Sequence, residues 1–114
     1  MKLEAYLQTA ASAALSKKAE DVVLLDLRPC TSFTDYFLLA TGANMRQLVA
    51  IADAVMESLR ELGMRPNHAE GYPLGEWILL DYGSLIIHVF TPAARGFYDL
   101  ERLWGGARRH AVLA

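Results

Sequence analysis

WILLDYGSLIIHVF, Trp77 to Phe90, places two apolar runs on either side of Gly83-Ser84. Apolar and aromatic runs bounded by a glycine turn predict a β-hairpin, with strands over 77–82 and 85–90. Side chains alternate along a strand, so Trp77, Leu79 and Asp81 share one face, and Ile86, His88 and Phe90 share another set of positions. Thr91-Pro92 then starts a helix, with Pro92 at the first helical position, where a missing N–H costs nothing. That helix is expected to break near Gly96, to restart with Asp99 as N-cap, and to end at Gly105-Gly106.

Upstream of the hairpin, MRPNHAEGYPLGE carries two prolines and two glycines and predicts a loop with one short strand around His68 to Glu70. Before it, Leu48, Ile51, Ala52, Val55, Leu59 and Leu62 repeat with the period of an amphipathic helix. Gly63 closes that helix, and Asn44 with Gln47 three residues later forms a variant capping box at its start. Two more strands precede it, DVVLLDLR (Asp21 to Arg28) and TDYFLLAT (Thr34 to Thr41), separated by the turn PCTSF. A first helix runs from Leu3, with Leu7, Ala10 and Ala14 at helical spacing and Lys17 and Lys18 opposing the dipole at its end. Helices alternating with strands in this order predict an α/β (α+β) fold, a mixed sheet of about five strands with helices packed on it. Residues 1–114 form one domain, with 105–114 read as a basic tail.

The chain has 114 residues, 54% hydrophobic and 21% charged, enough for a single core without disulfide staples. One cysteine, Cys30, rules out an internal disulfide or a cysteine-built zinc site and suits a reducing compartment. The first 22 residues mix Glu4 and other polar residues into their apolar run, which suits neither a signal peptide nor a membrane span. The expected location is cytoplasmic. A net charge of -2 and a pI near 5.9 argue against affinity built on phosphate neutralisation, so little direct nucleic acid contact is expected.

Enzyme chemistry finds little support. TGANMRQ has the strand, glycine, helix order of an anion site but neither GxGxxG nor a P-loop lysine. A two-metal site needs closely paired carboxylates, and Asp26, Asp35 and Asp81 are scattered. Cys30 with His68 or His88 as base has no spacing to link it, and a small, partly buried thiol is the simpler reading. His68, Glu70 and His88 match no ligand pattern, and His88 reads as a satisfied histidine in or near the core. No cofactor and no metal are expected.

RGFYDLERLW, Arg95 to Trp104, holds more aromatic surface than so short a helix needs for anchoring. Phe97 and Leu103 are expected to pack inward, and Asp99, Leu100, Glu101 and Trp104 to face outward. Trp77 at the start of its strand, with Glu70 before the preceding loop, adds a second aromatic and acidic element. Tyrosine and tryptophan serve as interface anchors, and carboxylates complement a basic partner.

TDYFLLATG, Arg46-Gln47, AEGYPLGEWILLDYGSLIIHVF and RGFYDLERLW, in that order, resemble the ribosomal silencing factor family, also called RsfS or iojap-like proteins. The resemblance covers about Asp21 to Trp104, with Asn44 standing where a serine is commoner. It implies a domain similar to the nucleotidyltransferase fold without a catalytic carboxylate set. It further implies binding to the large ribosomal subunit through its fourteenth protein, a basic protein at the subunit interface. Blocking small-subunit joining there lowers translation when nutrients are scarce, and homodimers are also implied. On this reading Glu70, Trp77, Asp99, Leu100, Glu101 and Trp104 form or border the partner contact, and no reaction is catalysed. The competing readings are a homodimeric assembly module with another partner and a nucleotide-handling enzyme.

Overall fold

A computed structural model describes residues 5–71 and 76–111. Leu3, at the expected start of the first helix, and Tyr72 to Gly75 of the glycine-proline loop lie outside the described residues. Helix α1 (Ala5–Ser16) is followed by β1 (Glu20–Asp26), β2 (Tyr36–Thr41), α2 (Met45–Glu61), β3 (His68–Glu70), β4 (Trp77–Asp81) and β5 (Leu85–Phe90). The chain then forms α3 (Pro92–Tyr98), a single turn α4 (Leu100–Leu103) and β6 (Arg108–Ala111). The six strands lie in the order β3-β4-β5-β2-β1-β6, and only β2 and β5 run parallel.

Local chemistry sets these boundaries. The Asn44 side chain accepts from the Gln47 N–H at 2.9 Å, and Gln47 Oε1 accepts from the Ala43 N–H at 2.7 Å. Two donors at the open end of α2 are thereby satisfied. Gly63, with φ +80°, ends the helix in the left-handed region that a side chain disfavours. Thr91 Oγ1 accepts from the Ala94 N–H at 3.2 Å and caps α3, with Pro92 in the first turn as expected. In the hairpin, Gly83 takes φ +82° and its N–H donates to Asp81 Oδ1 at 2.8 Å, so Asp81 holds the turn.

The sheet has two differently covered faces. Val22, Leu24, Leu38, Ala40, Ile78, Leu80, Ile87 and Val89 pack against α1 and α2 to form the larger core. The helix side of that core comes from Leu48, Ile51, Ala52, Val55 and Leu59, all buried, whereas Leu62, the last of the expected periodic set, is the exposed C-cap. On the other face Val23, Leu25, Phe37, Leu39 and Phe90 form a smaller core with Leu27 and Ala94, against which Trp77, Ile86, Leu100 and Trp104 are half-buried. Two long helices cover the first face, whereas the short α3 and α4 and the β1–β2 loop cover the second.

Three expectations need correction. The segment from Arg108 is no tail: β6 pairs antiparallel with β1, Arg108 opposite Asp26 and Arg109 opposite Leu25. Strand β1 is buried along Val22 to Asp26, and its second row of N–H and C=O groups must find partners, which β6 supplies. The sheet therefore has six strands, one more than expected. Helix α3 also runs through Gly96 to Tyr98, and the break falls at Asp99, which adopts φ +47° and ψ +54°. Asp99 makes no side-chain cap; its backbone carbonyl accepts from the N–H groups of Arg102 and Leu103, both at 3.1 Å.

Candidate functional site

The strand register brings the aromatic residues of the second face together. Trp77 stands opposite Phe90, Leu79 opposite His88, and Asp81 opposite Ile86, while β2 aligns Leu39 with His88. A chain of ring contacts crosses this face. Phe97 meets Tyr98 at 5.0 Å between centroids, Tyr98 meets Trp77 at 4.5 Å, and Trp77 meets His88 at 5.5 Å. His88 then meets Phe37 at 4.5 Å, Phe37 meets Trp104 at 6.0 Å, and Trp104 meets Phe33 at 5.7 Å. Seven residues from β4, β5, β2, α3, the end of α4 and the β1–β2 loop thus form one aromatic arc.

His88 is the middle of that arc and is buried. Its Nδ1 accepts from Trp77 Nε1–H at 3.0 Å, so the neutral ring carries its proton on Nε2. Nε2 is buried with no hydrogen-bond partner among the described residues, so the expectation of a satisfied core histidine holds for one nitrogen only. Burial pushes the His88 pKa down to about 3, because the apolar surroundings oppose the charged ring.

The α3–α4 cover is held by one charged network. Arg95 Nε donates to Glu101 Oε1 at 2.9 Å, and its Nη1 donates to Thr41 Oγ1 at 2.8 Å and to the Asp21 carbonyl at 2.6 Å. Arg109 of β6 binds the other Glu101 oxygen. The hydrogen bond from Arg95 holds the Glu101 carboxyl below the usual range, with Arg109 adding to it against the cost of burial. Removing the carboxylate in Glu101→Ala leaves the Arg95 guanidinium short of its counter-charge. A loss of about 2 kcal/mol in urea unfolding is expected, less for Glu101→Gln, which retains an acceptor.

The six residues read from the sequence fall into different settings. Trp77 and Trp104 belong to the arc, half-buried, and Leu100 packs beside Trp104 on the smaller core. Glu101 is spent on Arg95 and Arg109. Glu70 lies on the edge strand β3, exposed, with His68 Nε2 2.6 Å from its Oε1. Asp99 is half-buried at the left-handed junction between α3 and α4.

The inner and outer sides assigned to RGFYDLERLW are reversed. Phe97 is 79% exposed and Leu103 is 70% exposed, whereas Leu100 and Trp104 turn inward. Asp99 redirects the backbone, so helical spacing does not carry from α3 into α4, and the Arg95–Glu101 pair turns that side of α4 toward the sheet. Phe33, Phe37, Tyr98 and His88 also belong to the arc but are not among the six, Phe37 and His88 as buried members beneath the surface. The strand pattern placed His88 on one face with Phe90, but Phe33 is brought over Trp104 by the β1–β2 loop, which closes through hydrogen bonds that include Leu27 N–H to the Asp35 carbonyl at 2.8 Å and Phe33 N–H to Thr31 Oγ1 at 3.3 Å.

The carboxylates and thiol weighed for catalysis serve other purposes or stand apart. Asp26, buried, takes Arg28 Nε and Nη2 at 2.9 and 2.7 Å, and this pairing holds its carboxyl below the usual range. Asp81 is occupied in the hairpin turn. Cys30, in the turn after β1, is exposed, contrary to the partly buried thiol expected. Among the described residues no group of three or more His, Cys, Asp or Glu side chains is arranged to hold a metal. None of the described helices is long and apolar enough to cross a membrane.

Residues 1–113 match the family model described as ribosomal silencing factor during starvation. The chain is 36% identical to the ribosomal silencing factor RsfS of Bacillus subtilis, over 94% of this chain and 91% of that one. It is 31% identical, over 77% of its length, to a mouse protein named for mitochondrial assembly of the ribosomal large subunit, of which the match spans 40%. An X-ray crystal structure of a Chromobacterium violaceum protein superposes with a TM-score of 0.87 at 35% identity, covering 100% of this chain and 95% of that one.

Proposed function

The chain belongs to the ribosomal silencing factor family, and from that premise we propose that it silences translation in the cytoplasm by occupying the large ribosomal subunit. Its seat there is the fourteenth protein of that subunit, at the surface where the small subunit joins. Occupying that surface excludes the small subunit when nutrients are scarce. The mechanism is steric, with no bond made or broken.

The observation that carries this reading is the placement of exposed apolar side chains. Large hydrophobic residues exposed among the described residues are Phe33, Leu62, Phe97, Tyr98 and Leu103, and all but Leu62 lie on the cover of the second face. Large apolar side chains left exposed on one face mark an interaction site. The arc beneath it is braced by Trp77–His88 and Arg95–Glu101, which lowers the ordering cost of docking. Trp77, Trp104 and Leu100 support the contact from below, with Phe33, Phe97, Tyr98 and Leu103 as the apolar centre and Glu70 and Asp99 around it, while Glu101 braces the cover from within. A net charge of -2 favours a basic ribosomal protein over RNA as the target.

A photo-crosslinking residue at Phe33 or Tyr98, incubated with purified large subunits, tests the seat. The fourteenth protein is the expected adduct by mass spectrometry. Adducts with ribosomal RNA or another protein only would refute this seat. A homodimer built on the same face would hide it, so dilution to the monomer is expected to strengthen subunit binding.

A further inference from the structure

At one end of the aromatic arc, Glu76, Trp77, Ala93, Ala94, Phe97 and Tyr98 line an open groove of about 550 Å³. We propose that this groove is a receptor for an arginine side chain of a protein partner. The inference rests on the docking role given to this face and names the chemistry that one part of it reads.

Three rings and one carboxylate share the groove. Trp77 and Tyr98 lie 4.5 Å apart with their planes at 48°, and Phe97 stands nearly perpendicular to Tyr98 at 84°. Ring faces attract cations through their quadrupole. The two alanines keep the floor shallow and apolar. Glu76 is held by Thr91, whose Oγ1 donates to Glu76 Oε1 at 3.0 Å, so the carboxylate is fixed to the α3 cap.

This combination discriminates among occupants. An apolar side chain would strip water from Glu76 without replacing it, and an anion would be repelled. A guanidinium satisfies both elements, because it stacks on a ring face while its N–H groups fork to a carboxylate. The arginine of the same helix does not fill the place: Arg95 is committed to Glu101, Thr41 and the Asp21 carbonyl. Phe97 at 79% exposed and Tyr98 at 50% are left with ring surface that such an occupant would cover.

The test uses the ¹⁵N-labelled intact chain titrated with Nα-acetyl-arginine methylamide and with its neutral citrulline counterpart. Shifts are expected at the Trp77 indole N–H and at the amides of Glu76, Phe97 and Tyr98, with arginine binding about tenfold tighter than citrulline. Glu76→Gln and Phe97→Ala change exposed side chains, and the rest of the spectrum reports that each variant is folded. Both are expected to weaken arginine binding about fivefold or more, in keeping with a cation held by rings and carboxylate together. Citrulline binding equal to arginine, or a folded Glu76→Gln variant that binds arginine unchanged, would overturn the receptor. Co-sedimentation with large subunits separates this from the docking role. Subunit binding without arginine selectivity refutes the receptor alone, and arginine selectivity without subunit binding refutes the docking role alone.

Discussion

Trp77→Ala is expected to weaken binding to the large subunit by about 2 kcal/mol or more, roughly thirtyfold in Kd, read by co-sedimentation. The indole is a wall of the exposed aromatic surface, 4.5 Å from Tyr98, and it also rests 5.9 Å from Phe90 on the smaller core. Its truncation removes one of the two rings that Tyr98 packs against among the described residues and takes from His88 the only hydrogen bond its ring makes among them. A stability loss of about 3 kcal/mol is expected alongside, from lost packing and an orphaned buried nitrogen. Trp77→Phe separates the two effects. A phenyl ring retains most of the wall but cannot donate to His88, so stability is expected to fall by about 1 kcal/mol while most subunit binding remains. Equal loss of binding in both variants, with both folded, would show that the N–H group and not the ring surface matters.

Acid is expected to destabilise the fold well above the range where carboxylates titrate, and His88 is the cause. Its folded pKa is about 3, against 6.5 for a free histidine, so below 6.5 the unfolded chain binds a proton that the folded chain refuses. Stability from this group is therefore complete above pH 7 and falls as pH drops from 6.5 toward 3, by up to about 1.4 kcal/mol per pH unit. Asp26 and Glu101 act lower. Their folded pKa values are depressed by Arg28 and Arg95, so their contribution is present above the ordinary carboxylate range and is lost as pH falls through the depressed values. Urea unfolding between pH 7 and pH 5 isolates the histidine. The slope is expected to shrink markedly in His88→Gln, which cannot take up a proton; an unchanged slope would show that His88 is not its source.

Much of the fold was legible because local chemistry and global packing agree. The hairpin around Gly83, the cap at Asn44 and the apolar stripe of α2 each follow from a few neighbouring residues, and the structure forms them close to the expected places. Strand β6 was not legible. Its four residues, RRHA, hold a single apolar side chain and do not announce a strand; they pair with β1, more than eighty residues earlier. Tertiary demand, not propensity, made it a strand.

The aromatic face proposed for docking was legible only in its composition, for a related reason. RGFYDLERLW was recognisable as unusual from composition, but its orientation depended on Asp99 entering the left-handed region and on Arg95 reaching Glu101. Neither is visible to a periodicity that assumes an unbroken helix. Phe33 lies in a turn whose closure depends on Leu27 and Asp35, and Phe97, expected to pack inward, is exposed on α3. The same pattern explains Glu101. A carboxylate beside a tryptophan suits an acidic contact, yet two arginines of the same chain already claim its oxygens.

The most direct test of the central claim mixes purified large and small subunits with and without the protein and resolves them on a sucrose gradient. The account predicts that the protein travels with the large subunit, that the joined ribosome peak falls as protein is added, and that Trp77→Ala restores it. Joined ribosomes forming undiminished with wild-type protein in excess, or the protein travelling with the small subunit alone, would contradict it.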